Sequence, residues 1–404
     1  MIDRSGEVLS IETEVGLAGV ADRAARAERI AVDVESNGLF VYRPALCVLQ
    51  MAWPEDGAMV VAVVDTLATS VAPLARLFGE GGPIKVLHDL TFDARLLAEA
   101  GAPLARVRDT SVAARLLGHK ATGLSALLAT ELGVHHDKRL QQHDWTRRPL
   151  RDAEIDYLAG DVRHLLALDE RLEHAATAID VEAEIADECT YKLTTALSPR
   201  QKPRPGYVRV KGAAALDAIG RAVLRRVWLA REAAAAKEDV PPFKVTSNEA
   251  LLEVAQKRPA SMEALRRIRG ALAGLAGRHA AAWLAAVAEG LRDGDTPEEE
   301  RALWSPAPPS REEIARRRAR ESQVSAWRKV EAAQRGVDEQ AVLPGHCAED
   351  LVEALAAHDA RPDEALLREA IAQIPGLGSR RRERYGDVFV RFSTTPPGAR
   401  PSTS

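Results

Sequence analysis

The length, composition and charge of this chain describe a globular protein and exclude several other classes. Its 404 residues, 46% of them apolar, suffice for two or three domains with hydrophobic cores. Three scattered cysteines exclude a disulfide framework, and no uninterrupted apolar run approaches the roughly 20 residues that a membrane span needs. The first residues lack the basic-then-apolar pattern of a signal peptide, so we expect a cytoplasmic protein with no membrane attachment.

The charge is divided unevenly along the chain. Residues 1–180 carry 19 Lys+Arg against 27 Asp+Glu, a net charge of −8, whereas the remainder carries 36 against 32, a net charge of +4. An acidic front that holds cations, joined to a more basic rear, is compatible with a polyanionic substrate.

Strand and helix patterns alternate along the first 180 residues. Strands are predicted at residues 30–35, 46–52, 58–64, 84–88 and 106–109, and helices at residues 14–29, 69–78, 91–99, 110–117, 124–132 and 154–176. The second and third strands are joined by the turn Pro54-Glu55-Asp56-Gly57, which predicts an antiparallel hairpin. Hairpin strands followed by strand–helix alternation predict an α/β fold, with a mixed sheet and helices on both of its faces.

Helical patterns dominate the rest of the chain. We predict a connector over residues 181–212, a helical domain over 213–292, a Pro-rich linker over 293–310, a second helical domain over 311–393 and a disordered tail over 394–404. In each helical domain an Arg-bearing helix with a tryptophan, Trp228 or Trp327, precedes a turn that contains proline. This repetition indicates a duplicated small helical unit.

Four acids and one phenol are the candidate chemical groups. Asp33 and Glu35 are two residues apart on the first predicted strand, so their side chains project from the same face. Asp93 lies at the start of a predicted helix that follows a later strand. Tyr157 and Asp161 stand four residues apart in a helical segment and share one face. An Asp-X-Glu alone is also typical of a solvated strand end. The later acids favour a divalent-metal site, because Mg²⁺ and Mn²⁺ prefer oxygen ligands and a metal pair about 4 Å apart serves phosphodiester cleavage.

The order of these residues resembles a known set of motifs. Asp33-X-Glu35, His88-X4-Asp93 and Tyr157-X3-Asp161 are similar to the three exonuclease motifs of the DEDD superfamily, in its tyrosine branch. Two further segments narrow the resemblance to the ribonuclease D family: Tyr42-Arg43-Pro44-Ala45-Leu46-Cys47-Val48-Leu49-Gln50 and Gln141-Gln142-His143-Asp144-Trp145-Thr146-Arg147-Arg148-Pro149-Leu150. His143 is a departure, because serine is common there in the family. The two rear regions resemble HRDC domains.

This resemblance implies a fold and a mechanism. The fold would be an RNase H-like mixed-sheet exonuclease domain over residues 1–180, followed by two all-α HRDC-like domains. Asp33, Glu35, Asp93 and Asp161 would hold two divalent cations, Mg²⁺ or Mn²⁺, and hydrolysis would release nucleoside 5′-monophosphates. Tyr157 would position the attacking water; since a phenol with a pKa near 10 is a poor base at neutral pH, we assign it orientation before proton transfer.

Contacts with the substrate are predicted less directly. Tyr42 and Arg43 either reach the substrate, the arginine through a phosphate, or belong to a packed, solvated loop. His88 either contacts the substrate or fills a core position, and we favour the structural role. The adjacent pair His135 and His136 lacks other spaced ligands, so we interpret it as a solvated loop and not as a zinc site.

Three basic clusters in the rear either bind phosphates or form solvated helix faces. They are Arg266, Arg267 and Arg269; Arg316 to Arg318 with Arg320; and Arg380 to Arg382 with Arg384. The turn Pro375-Gly376-Leu377-Gly378 is the best single candidate for a phosphate contact, because a Gly-rich turn that enters a helix offers backbone N–H groups.

These observations predict a ribonuclease D-like 3′-to-5′ exoribonuclease that trims the 3′ ends of tRNA precursors and other structured RNAs. RNA is the expected partner, and we expect a monomer. One alternative is a DNA 3′-to-5′ exonuclease in repair. Another is a nucleic-acid-binding protein that has lost its activity, although all four acids and the tyrosine are present.

Overall fold

The computed structural model describes residues 6–198, 205–301, 303–304 and 310–394. The tail predicted to be disordered lies outside this range from residue 395 onward, as do parts of the predicted connector and linker. Two compact units are distinguished: the larger takes in the chain up to residue 35, residues 46–198 and residues from 310 onward, and the smaller takes in residues 36–45 and those between 199 and 309. None of the described helices is long and apolar enough to cross a membrane.

A six-stranded sheet forms the centre of the larger unit. Its strands are β1 (Val8–Ile11), β2 (Arg29–Ser36), β3 (Leu46–Glu55), β4 (Ala58–Asp65), β5 (Ile84–Leu87) and β6 (Val107–Asp109), in the order β1-β4-β3-β2-β5-β6. Strands β3 and β4 are antiparallel, whereas β1 pairs with β4, β2 with β5, and β5 with β6 in parallel. The predicted mixed sheet and hairpin are confirmed. Strand β1 was missed, because four residues interrupted by a serine give little signal.

The helices of the sheet region follow the predicted order with some differences in length. They are α1 (Glu14–Ala24), α2 (Ala75–Phe78), α3 (Thr91–Glu99), α4 (Thr110–Leu116), α5 (Leu124–Leu127), α6 (Asp152–Arg163), α7 (Leu165–Ala178) and α8 (Glu182–Leu197). The prediction of one helix over residues 154–176 is wrong, because the chain breaks at His164 between α6 and α7 without proline or glycine. Helix α8 occupies the first half of the predicted connector and packs on α3 and β6.

Hydrophobic clusters cover both faces of the sheet. On β2, Ile30, Val32 and Val34 belong to the cluster beneath α1 and α3. Ala31 belongs to the opposite cluster, which includes residues of α4, α6 and α7. Because side chains alternate along a strand, Asp33 and Glu35 project to this second face, where α6 packs over β3 and β4. The alternation therefore aims the two acids at the helix that carries the third motif.

Both rear regions are helical in the described part of the chain. In the smaller unit the helices are α9 (Ala218–Glu238), α10 (Pro242–Val245), α11 (Asn248–Lys257), α12 (Met262–Arg266), α13 (Ala280–Asp293) and α14 (Glu298–Arg301). In the larger unit they are α15 (Arg311–Arg335), α16 (Glu339–Val342), α17 (Gly345–Ala360), α18 (Glu364–Ala372) and α19 (Gly378–Thr394). In both, a long helix with a tryptophan precedes a short helix, and each region has its own apolar core. The domain boundaries stay a prediction.

Candidate active site

Three of the predicted acids converge in the larger unit. One oxygen from each of Asp33, Glu35 and Asp161 can be chosen so that all three atoms lie within 4.8 Å of one another. The first two carboxylates come from β2, which lies between β3 and β5, and the third comes from α6. The strand and the helix thus bring together groups that are far apart in the sequence.

Asp93 joins this group from the first turn of α3, with only 7% of its surface exposed. The start of this helix is fixed by Asp109, whose carboxylate accepts hydrogen bonds from the backbone N–H groups of Asp89 and Leu90 before α3 and of Ser111 in α4. One buried acid therefore holds two helix starts together. The position of Asp93 at a helix N-terminus also favours its negative charge.

Helix α6 is held over the sheet by the segment that precedes it. Arg148 donates to both carboxylate oxygens of Asp65, at 2.5 and 2.8 Å, and to the carbonyl oxygen of Cys47 at 2.9 Å. At the start of α6, the Glu154 carboxylate accepts hydrogen bonds from the backbone N–H of Arg151 at 2.8 Å and from its guanidinium Nε at 2.9 Å. These contacts link the loop to β3 and β4 and so determine where the third motif lies.

The clustered carboxylates disfavour one another's ionisation. Burial raises the pKa of Glu35 to about 9, and the charges of Asp33 and Asp161 add to this effect. Burial, followed by the charge of Asp161, raises the pKa of Asp33 well above its usual range. Burial, followed by the charges of Asp33 and Glu35, does the same for Asp93. A cation among these groups would relieve the repulsion and keep them ionised at neutral pH.

One oxygen of Asp161 provides a test of whether a metal fits. Oδ1 lies 2.9 Å from Nε2 of His136, whereas Oδ2 is buried and has no hydrogen-bond partner among the described residues. A buried carboxylate oxygen without a partner is costly unless a ligand satisfies it. The oxygen-only donor set and this atom fit a hard divalent cation such as Mg²⁺ or Mn²⁺.

Tyr157 lies next to the acids and between two aromatic neighbours. Its ring centroid is 5.9 Å from that of the buried Trp145 and 6.2 Å from that of His136. Burial, reinforced by the charges of Asp161 and Glu35, raises the pKa of the phenol. The phenol therefore stays protonated at neutral pH and is suited to orienting a water molecule by hydrogen bonding.

His136 is a site residue that the sequence interpretation missed. Its side chain is 8% exposed and lies against Asp161, so the prediction of a solvated loop is wrong for this residue, although the adjacent His135 is exposed. His143 is the departure from the family pattern, and its Nε2 lies 3.1 Å from Oε1 of Glu154. Its ring meets that of Trp145 edge-on, with 4.9 Å between the ring centroids. Its ring thus packs between the α6 cap and the tryptophan beside Tyr157.

The predicted substrate residues lie in different surroundings. His88 places Nδ1 2.9 Å from the Thr110 hydroxyl, which itself donates to the carbonyl oxygen of Leu87, and burial lowers the pKa of the imidazole. These bonds agree with the structural role that we favoured. Tyr42 and Arg43 belong to the smaller unit, where the Tyr42 hydroxyl donates to Glu232 at 3.3 Å and Arg43 is exposed.

Arginines of α19 face carboxylates within the larger unit. Arg384 donates to Asp180 at 2.5 Å and to Glu184 at 3.1 Å, and Arg380 donates to Asp180 at 3.0 Å. Arg381 is fully buried and donates to the Ala341 carbonyl oxygen. Arg382 donates to the carbonyl oxygen of Ala372 in α18 at 3.5 Å, so all four arginines of this basic cluster connect α19 to other parts of the unit.

The glycine turn before α19 is also enclosed. A Cβ atom at Gly376 would overlap the rings of Tyr191 and His346, which stack at 3.8 Å between centroids. A Cβ atom at Gly378 would overlap the carboxylate of Asp187. Since this turn faces a carboxylate and two rings, its surroundings do not favour the phosphate contact that the sequence suggested.

Comparison with known proteins gives consistent matches. A 3′-5′ exonuclease family model matches residues 8–176, and an HRDC domain model matches residues 220–287. Ribonuclease D of Granulibacter bethesdensis is 35% identical over 309 residues, which cover 73% of this chain and 75% of that protein. Ribonuclease D of Gluconacetobacter diazotrophicus is 34% identical over 313 residues, covering 74% and 76%.

Solved structures show the same fold. The crystal structure of Escherichia coli RNase D, described as an exoribonuclease involved in structured RNA processing, matches with a TM-score of 0.71 at 21% identity and covers 97% of this chain and 100% of that one. The catalytic core of RRP6 from Trypanosoma brucei matches with a TM-score of 0.59 at 21% identity, covering 72% and 82%.

Proposed function

Because the chain belongs to the ribonuclease D family of 3′-to-5′ exoribonucleases, we propose that it trims the 3′ ends of tRNA precursors and other structured RNAs by two-metal hydrolysis. The observation that carries this proposal is the approach of the Asp33, Glu35 and Asp161 carboxylates to within 4.8 Å. Two Mg²⁺ or Mn²⁺ ions held by these residues and Asp93 would supply activation of the attacking water and stabilisation of the leaving 3′ oxygen.

The acids and the tyrosine have different roles in this reaction. The four carboxylates would bind and orient the cations. Nucleoside 5′-monophosphates are the expected products. The protonated phenol of Tyr157 orients the attacking water, because its raised pKa disfavours proton removal. We also propose that the enzyme acts in the cytoplasm as a monomer.

The test is digestion of a 3′-extended tRNA precursor by the full chain in Mg²⁺, with the products resolved by length. We expect stepwise shortening from the 3′ end by the parent and loss of hydrolysis in Asp33→Asn. RNA binding, measured by electrophoretic mobility shift, should be retained in this isosteric variant. An Asp33→Asn variant that trims as fast as the parent would refute the mechanism.

Two further arms separate the alternatives. Faster digestion of a DNA oligonucleotide than of the matched RNA would favour the repair exonuclease. Binding of RNA by the parent without any hydrolysis in Mg²⁺ or Mn²⁺ would favour the inactive binding protein.

A further inference from the structure

The loop before the third motif places a histidine against the last acid. The His136 side chain is 8% exposed and the Asp161 side chain is 9% exposed, and Nε2 of the ring lies 2.9 Å from Oδ1 of the carboxylate. This contact joins a loop residue to a group at the centre of the acidic cluster. It is therefore buried enough to be little weakened by competition with water.

Residues that precede and follow His136 in the sequence anchor the loop that carries it. Val134 and Leu140 pack against the core beneath α6, and the Asp137 carboxylate accepts the backbone N–H of Arg139 at 2.9 Å. The ring itself rests on α6 beside Gly160, where an added Cβ would lie 3.9 Å from Nδ1. Packing of the loop therefore positions the histidine independently of its hydrogen bond to the carboxylate.

The hydrogen bond distinguishes the two oxygens of Asp161. An ionised carboxylate can only accept hydrogen bonds. Nε2 of the imidazole therefore carries the hydrogen and donates a hydrogen bond to Oδ1. Oδ2 remains buried and without a hydrogen-bond partner in the described part of the chain. Because the hydrogen bond holds Oδ1 in place, the carboxylate does not rotate. Oδ2 then remains available to bind a cation.

We propose that His136 is a positioning residue, which fixes the rotation of Asp161 so that Oδ2 faces the divalent cation. This inference rests on the proposed function, because it assigns a cation to the acidic cluster. Partners that hydrogen-bond a metal-ligating group typically change metal affinity by about 10–100-fold when they are removed. Direct ligation by Nε2 does not fit, since that atom is already engaged by Asp161.

The experiment compares three variants with the parent by calorimetric titration with Mn²⁺ in the absence of RNA. His136→Leu removes the donor, whereas His136→Gln can keep an N–H near the position of Nε2. His135→Leu is the matched control, because this adjacent histidine is exposed. We expect a Mn²⁺ dissociation constant about 10–100-fold weaker in His136→Leu, within about threefold of the parent in His136→Gln, and unchanged in His135→Leu.

A second readout separates positioning from folding. In RNA hydrolysis, His136→Leu should need a higher Mn²⁺ concentration for half-maximal rate and should recover much of the parent rate at saturating Mn²⁺. Unchanged circular dichroism in EDTA would show that the variant is folded. If it is unfolded, the His136→Gln arm decides, since the amide must then support near-parent Mn²⁺ affinity.

Two outcomes would overturn the inference. One is a folded His136→Leu variant that binds Mn²⁺ as tightly as the parent. The other is equal loss of affinity in the leucine and glutamine variants, which would identify the imidazole as a ligand. Failure of the proposed function is distinguishable, because it would show as a parent protein that binds Mn²⁺ but does not hydrolyse RNA.

Discussion

Removing one charge from the acidic cluster should stabilise the metal-free protein. Glu35→Gln keeps the shape of the side chain and removes its repulsion with Asp33 and Asp161. An ionised Glu35 would repel one neighbouring charge by about 3.5 kcal/mol at the 4.8 Å that bounds the oxygen separations and an effective dielectric constant of about 20. The folded chain avoids this repulsion at pH 7.5 by keeping Glu35 protonated, which itself costs free energy relative to the unfolded chain. Because Glu35 keeps some exposure and the acids can protonate, we expect a gain of about 2 kcal/mol, or roughly 3 °C in Tm for a unit of this size, in EDTA at pH 7.5.

The pH dependence of this gain has a definite sign. The pKa of Glu35 is about 9 in the folded chain, against an ordinary value of 4.5. Between these values the folded state binds a proton that the unfolded state does not, so the free energy of unfolding falls as pH rises, by up to about 1.4 kcal/mol per pH unit. Glu35→Gln should therefore show a shallower loss of stability between pH 6 and pH 9.

Thermal unfolding in EDTA and in Mn²⁺, followed by circular dichroism, measures both effects. Mn²⁺ should raise the Tm of the parent more than that of Glu35→Gln, because the variant has lost one ligand. Glu28→Gln serves as the control, since Glu28 is exposed just before β2. A Glu35→Gln variant that is less stable than the parent in EDTA, or equally stabilised by Mn²⁺, would refute the electrostatic reasoning.

Three further substitutions test the site and the docking of the C-terminal helices. Tyr157→Phe should lower kcat by about 10²-fold with little change in Mn²⁺ affinity, as measured by initial rates of RNA hydrolysis and by calorimetry, because the phenol orients water. Glu184→Ala should cost about 3 kcal/mol in urea unfolding, since it removes a buried carboxylate that accepts from both Arg335 and Arg384. Gly378→Ala should lower Tm, because it combines a φ of 74° with overlap at Asp187, whereas Gly386→Ala, a control with open space inside α19, should gain up to about 1 kcal/mol in the same melting experiment.

Local periodicity accounts for most of what the sequence predicted. The spacing of Asp33 and Glu35 fixes a common face on any strand, and the spacing of Tyr157 and Asp161 fixes a common face on any helix. The structure has both pairs on the expected elements. The packing of β2 close to α6 depends on tertiary structure, and periodicity alone does not predict it. The order of the motifs, compared with a known family, supplied that step.

His136 shows why the remainder was missed. No apolar spacing, cap or turn marks this histidine, and its partner Asp161 lies in the next helix along the chain. Two adjacent histidines in a polar loop are indistinguishable by composition, yet His135 is exposed and His136 is nearly buried. Only the packing of the loop on α6 separates them, and no local pattern encodes that packing.

The arginines of α19 extend this point from one residue to a whole surface. A basic helix face has the same sequence pattern whether it meets phosphates or carboxylates, so the signal lies in the acids opposite, Asp180 and Glu184. Glu184 is fully buried, and a buried carboxylate requires cationic partners. Arg380 and Arg384 are therefore already engaged within the chain. The net positive charge of the rear consequently overstates the charge available to an RNA, and salt dependence of RNA affinity should report fewer phosphate contacts than a count of arginines suggests.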